Sequence, residues 1–155
     1  MNQILFRYNE SMDGFFIYDP LTAGSKGLVF IGNKVLVYRR DNNTKLYPLY
    51  IDLPGGGLEP NETPFETFER EVYEEFGLKI HKEDITYVKK YPGVTDTSKY
   101  AYFPVAKLPE EAEKKIKFGN EGLEYMVLEL DDYFGREDLC PILRERSLEY
   151  VKSLR

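Results

Sequence analysis

The chain is poor in residues that ligate soft metals or lock a fold covalently. Its 155 residues hold one cysteine, Cys140, one histidine, His81, and no tryptophan. A single cysteine excludes an internal disulfide, which fits a reducing compartment. One His and one Cys disfavour a His/Cys zinc centre. A metal bound here is expected on oxygen ligands, which points to magnesium, manganese or calcium. No apolar run approaches the roughly 20 residues of a membrane helix. The first residues, Met1 to Arg7, lack the basic start and apolar run of a signal peptide, so a cytoplasmic location away from membranes is expected. An excess of positive charge is also missing. Lys and Arg number 21 against 27 Asp and Glu, a net charge of −6. Such a chain has no general attraction for a nucleic-acid polymer or an anionic membrane.

What is present is ordinary for a globule: 42% hydrophobic and 31% charged residues. At roughly 150 residues per domain, 1–155 reads as one domain. No internal repeat or low-complexity tract interrupts it. The patterning predicts strands at 15–18, 28–31, 35–38, 50–53, 85–88, 100–106 and 125–130. Gly32-Asn33 reads as a hairpin turn. Residues 19–26 read as a loop and 39–47 as a polar, exposed segment. Helices are expected at 63–76, 110–117 and 141–154, the last burying Ile142, Leu143, Val151 and Leu154. Short strands mixed with a few helices give an α+β fold, an α/β/α sandwich.

The helix at 63–76 carries the strongest signal. Thr63 and Glu66 form a capping box, and Pro64 suits the first helical position. Phe65, Phe68, Val72 and Phe76 make a core face, and Gly77 is a C-terminal cap. Glu71, Glu74 and Glu75 gather on the opposite side, at i, i+3 and i+4. Like charges at this spacing repel by roughly 0.2–0.5 kcal/mol per pair. They also stand in the last turn, where the helix dipole is already negative. Arg70, able to pair with Glu66 or Glu74, offsets part of this. A divalent cation would turn the cluster favourable. Just upstream, Gly55-Gly56-Gly57 form a loop without side chains, whose amides can meet a phosphate and whose carbonyls can meet a metal.

Gly56 is followed by Glu62, then by Arg70-Glu71-Val72-Tyr73-Glu74-Glu75-Phe76-Gly77-Leu78. This spacing resembles the Nudix box at every defined position. The resemblance implies the Nudix fold, a mixed sheet between helices. It implies Mg2+-dependent hydrolysis, with Mn2+ a possible substitute, of a nucleoside diphosphate linked to another group. It implies metal binding by Glu71, Glu74 and Glu75, with a carbonyl from Gly55, and an orienting ion pair between Glu62 and Arg70. A further glutamate after the box is expected to complete the site, with Glu121 preferred to Glu124. The general base is Glu74 or Glu71.

Arg39, Arg40 and Lys45 are candidates for phosphate contact, as are Gly56 and Gly57. The expected partner is a small phosphorylated nucleotide, and a homodimer is a prior from the family. Markers that accompany ADP-ribose or diadenosine polyphosphate substrates are absent, since Gly93 and Val94-Thr95-Asp96 fill those positions. His81 and Cys140 read as structural. The alternative reading is a Nudix-fold module that binds a nucleotide or metabolite without hydrolysing it. A third, an acidic scaffold with a solvated helix, leaves the glycine loop unexplained.

Overall fold

In the computed structural model, residues 10–155 are described. The chain runs α1 (Glu10–Phe15), β1 (Thr22–Lys26), β2 (Leu28–Ile31), β3 (Lys34–Arg40), β4 (Ile51–Asp52), β5 (Gly55–Gly57) and α2 (Pro64–Phe76). Next come β6 (Ile85–Pro92), β7 (Tyr100–Leu108), β8 (Gly122–Leu128), α3 (Leu130–Gly135) and α4 (Pro141–Ser153), with 3-10 helices at Lys82–Asp84 before β6 and at Glu110–Lys115 after β7, the latter where a helix is expected at 110–117. No helix among the described residues is long and apolar enough to cross a membrane.

The sheet is mixed. Strands β1 and β2 lie end to end, and both run parallel to β7. Their other edge splits. β1 pairs antiparallel with the glycine strand β5, whereas β2 pairs antiparallel with β3. β3 continues outward between β4 and β8, and β6 covers the far edge of β7. The break falls at Gly27, whose N–H donates to the Pro54 carbonyl at 3.1 Å. That bond ties the split to the start of the glycine loop.

The core lies on both faces of this sheet. Along β2, Val29 and Ile31 face one side with α1 and α2, while Leu28 and Phe30 face the other with α3 and α4. β7 divides the same way: Tyr102, Ala106 and Leu108 on the α2 side, Phe103 and Val105 on the α4 side. Because both faces are covered, all four residues of β2 are buried and no polar alternation is visible. The expected α/β/α sandwich is the fold.

Some local expectations need correction. Residues 15–18 are not a strand: Phe15 ends α1 and is fully buried, edge-on to Phe16 and Phe65. Residues 22–26, expected as loop, form β1, because backbone pairing to β5 and β7 outweighs the turn preference of Gly24 and Ser25. The strand expected to reach Leu130 stops at Leu128, and α3 begins at Leu130. The extended stretch expected at 50–53 shrinks to two residues, and β3 continues through Arg39 and Arg40. In α4, Leu143 is buried, but Ile142 and Leu154 are 38% and 63% exposed, the latter past the helix end.

Candidate functional site

α2 has the start and stop that its sequence specifies. Thr63 accepts a hydrogen bond from the Glu66 N–H at 3.1 Å, and Glu66 accepts one from the Thr63 N–H at 2.9 Å. Phe68, Val72 and Phe76 are wholly buried and Phe65 nearly so. This face fixes the helix's rotation, so Glu71 and Glu75 are presented to the split in the sheet. Gly77 takes the left-handed conformation, with φ 68°, and its N–H donates to the Tyr73 carbonyl.

The end of α2 is closed by a distant piece of chain. The Lys117 N–H donates to the Phe76 carbonyl and the Gly119 N–H to the Glu75 carbonyl, both at 2.8 Å. These donors satisfy carbonyls that a helix end leaves unpaired. Gly119 comes so close that a Cβ there would stand 2.7 Å from the Glu74 carbonyl oxygen. Two residues on, Glu121 is delivered to the carboxylates of α2. One oxygen each from Glu71, Glu75 and Glu121 lie within 4.8 Å of one another.

The glycine strand forms the floor. Gly55 has φ +135°, and a Cβ there would meet the Ser25 carbonyl oxygen at 2.3 Å, so another residue would be strained and would clash. Its N–H donates to Glu75 Oε1 at 3.1 Å. A Cβ on Gly56 would lie 2.7 Å from the Glu71 carboxyl carbon. The loop is therefore bare where the carboxylates lie against it.

Arg70 binds loop and helix together. Its Nε donates to Glu62 at 2.7 Å, Nη1 to Glu71 at 2.6 Å and Glu74 at 3.1 Å, and Nη2 to the Gly57 carbonyl at 3.1 Å. The predicted Glu62–Arg70 ion pair is thus formed. The Arg70–Glu66 alternative is not, because Glu66 is taken by the capping box. Burial pushes the Glu62 carboxyl up, but Arg70, the Glu59 N–H and Thr67 outweigh it, so the acid lies below its ordinary range.

Glu75 is the electrostatic extreme of the site. It is 6% exposed, and burial pushes its carboxyl up to about 9, opposed by the Gly55 N–H and by the Lys26 charge. Burial also raises Glu71, which Arg70 partly offsets. Crowded, desolvated carboxylates that resist ionisation are the arrangement a bound cation relieves.

The other sequence candidates divide. Glu74 stands outside the group of three, about half exposed and held by Arg70. Glu124 is also outside: it pairs with Arg39 Nε at 2.8 Å. Arg39 is further committed to Asp138 and the Leu49 carbonyl. Arg40 donates through Nη1 to Asp52 at 2.6 Å, and Lys45 is exposed. Cys140 is buried, and burial raises its thiol to about 11, so it is inert at neutral pH.

Sequence reasoning passed over Asp52, Lys26 and Tyr38. Asp52 is 1% exposed, and its Oδ2 receives Lys26 Nζ at 2.8 Å, Arg40 Nη1 at 2.6 Å and Tyr38 Oη at 3.1 Å. Its Oδ1 accepts the Leu53 N–H at 2.8 Å. The available signal was an acid inside the apolar run Tyr50-Ile51-Asp52-Leu53.

Three carboxylates converging on one point form a hard-oxygen donor set, which fits a divalent cation such as Mg2+ or Mn2+. Fold and site together define an α/β/α sandwich with an acidic cluster, two of its carboxylates borne by α2, that a divalent cation would fit. The sequence profile of the NUDIX domain matches residues 23–150, and the chain belongs to that family. Among curated proteins, it is 36% identical over 59 residues to an RNA pyrophosphohydrolase of Bartonella henselae, a match covering 38% of this chain and 33% of that protein. The chain thus spans about a third of the length of that relative. Among solved structures, it resembles a MutT protein from Methanosarcina mazei, with TM-score 0.66 and 24% identity over 89% of this chain and 99% of that one. It also resembles a bifunctional NMN adenylyltransferase/ADP ribose pyrophosphatase from Francisella tularensis, with TM-score 0.66 and 16% identity over 88% and 43% of the two chains. Both likenesses are of fold.

Proposed function

We propose that this protein hydrolyses the diphosphate linkage of a small nucleotide, a nucleoside diphosphate joined to another group, with Mg2+ or Mn2+. The observation that carries the reading is the convergence of Glu71, Glu75 and Glu121 beside a loop without side chains. These three residues would hold the cation, with the Gly55 carbonyl as a further oxygen donor. The bound ion supplies neutralisation of the anionic diphosphate and a water acidified enough to attack phosphorus. Glu74, outside the group of three and oriented by Arg70, would serve as the base that takes a proton from the attacking water. Arg70 and Glu62 hold the glycine loop against the helix, which fixes the distance between substrate and base. Gly56 and Gly57 let the phosphates approach the backbone, and Arg40 offers them positive charge.

The similarity of part of the chain to an RNA pyrophosphohydrolase makes a 5′-triphosphorylated RNA a necessary arm of the test. The negative net charge favours the small nucleotides. The experiment is a phosphate- and pyrophosphate-release screen with Mg2+. It covers nucleoside triphosphates, ADP-ribose, nucleotide sugars, dinucleoside polyphosphates and the RNA, with the wild type and Glu75→Gln side by side. The reading expects release from at least one small nucleotide, reduced on the order of a hundredfold or more in the variant. Binding of a nucleotide without release by the wild type would favour the non-hydrolytic module instead.

A further inference from the structure

The split in the sheet holds a second charged group that the carboxylate centre does not use. Lys26 from β1, Tyr38 and Arg40 from β3 and Asp52 from β4 meet on one buried oxygen, Asp52 Oδ2. The charge does not cancel. Two cations face one anion, because Tyr38, pushed well above the ordinary phenol range by burial and by Asp52, remains a neutral donor. The group thus carries an excess of one positive charge.

This excess sits against the acidic centre. Lys26 is the register partner of Gly55 in the β1–β5 ladder, and the Gly55 N–H binds Glu75. Lys26 and Arg40 are 27% and 22% exposed, whereas Asp52 is 1% exposed. The cations therefore reach solvent and their anchor does not. Arg40 Nε is buried and has no hydrogen-bond partner among the described residues. An ammonium and a guanidinium anchored side by side, with donor capacity left over, match a tetrahedral oxyanion.

We propose that Lys26 and Arg40, anchored by Asp52, form a phosphate-binding subsite next to the carboxylate centre, with Lys26 as its principal contact. The chemistry selected is a phosphate or diphosphate group bearing non-bridging oxygens. Asp52 has a second effect: by holding the Lys26 ammonium, it keeps that charge from closing an ion pair on Glu75 and competing with a cation there. The identity of the anion rests on the hydrolase reading. The anchored cation pair itself does not.

The test is calorimetric binding of inorganic pyrophosphate, in the presence of Mg2+, to the wild type, Lys26→Gln and Lys26→Arg. Mn2+ titrations and thermal denaturation of the same proteins run alongside. Lys26→Gln is expected to weaken pyrophosphate binding about tenfold or more, the loss of one charge-assisted hydrogen bond. Its Mn2+ affinity is expected to stay equal or rise. Lys26→Arg is expected to keep pyrophosphate affinity within about threefold. Unchanged pyrophosphate affinity in Lys26→Gln overturns the subsite, as does a parallel loss of Mn2+ affinity, which would mark a purely structural lysine. A wild type that turns over nucleotides while Lys26→Gln binds pyrophosphate normally overturns this inference alone. A wild type that neither binds Mn2+ nor releases phosphate overturns the hydrolase reading.

Discussion

Glu75 is placed where water solvates it poorly, in contact with the Gly55 N–H and close to the charges of Glu71 and Asp52. Its ordinary value near 4.5 applies in the unfolded chain, whereas the folded, metal-free value is about 9. The folded state therefore binds the proton more tightly. The stability this confers is fully present below about 4.5 and is lost as pH rises through about 9. In EDTA, the wild type is expected to lose stability between pH 5 and 9 relative to Glu75→Gln, which keeps an acceptor for Gly55. A gap in Tm of on the order of 5 °C at pH 9, closing near pH 5, is the predicted signature. A Tm difference that does not change with pH would contradict the assignment. Gly56 makes a complementary prediction. In Gly56→Ala the new methyl would meet the mobile end of Glu71 at 2.7 Å, so the carboxylate moves and the fold survives. Circular dichroism should be unchanged while Mn2+ affinity falls about tenfold, and retained affinity would mean that Glu71 is not a ligand.

At the level of elements, α2 and the glycine loop were legible because their determinants are local. The capping box, the apolar stripe and Gly77 lie within a short stretch and form as the spacing implies, and the Glu62–Arg70 pair forms as the family resemblance implies. Thr63→Ala is expected to remove about 1 kcal/mol of stability, a fall of about 2–4 °C in Tm, and to leave turnover nearly unchanged. A collapse of the fold would mean that the helix depends on its cap far more than its buried face implies. The remaining elements were hidden because their causes are distant. Thr22–Lys26 is a strand only because β5 and β7 flank it. Phe15 and Phe16 read as a strand pair, yet aromatic packing against Phe65 suits a helix end. Glu121 and Glu124 look alike in sequence. They separate because Lys117 and Gly119 close the end of α2, swinging Glu121 inward, while β8 aligns Glu124 with Arg39. The Lys26–Asp52 pair joins residues 26 positions apart and leaves no periodic trace.

For the whole molecule, the net charge of −6 changes meaning once the fold is known. Part of the excess is a local cluster beside two anchored cations, which suits a small anion arriving with its metal better than a polymer. Ligation only in the folded state should stabilise the protein by about 2.7 kcal/mol at a hundredfold excess of Mn2+ over its Kd. That corresponds to a rise of about 5–10 °C in Tm for the wild type, and little for Glu75→Gln. An equal rise in both would place the metal elsewhere. On the proposed reading, Glu71, Glu75 and Glu121 together hold a divalent cation. Calorimetric titration of Mn2+ into the wild type, Glu121→Gln and Glu124→Gln separates the two glutamates. One common site is expected, weakened about tenfold or more in Glu121→Gln and unaltered in Glu124→Gln. Equal affinity in the wild type and Glu121→Gln, or a loss confined to Glu124→Gln, would contradict it.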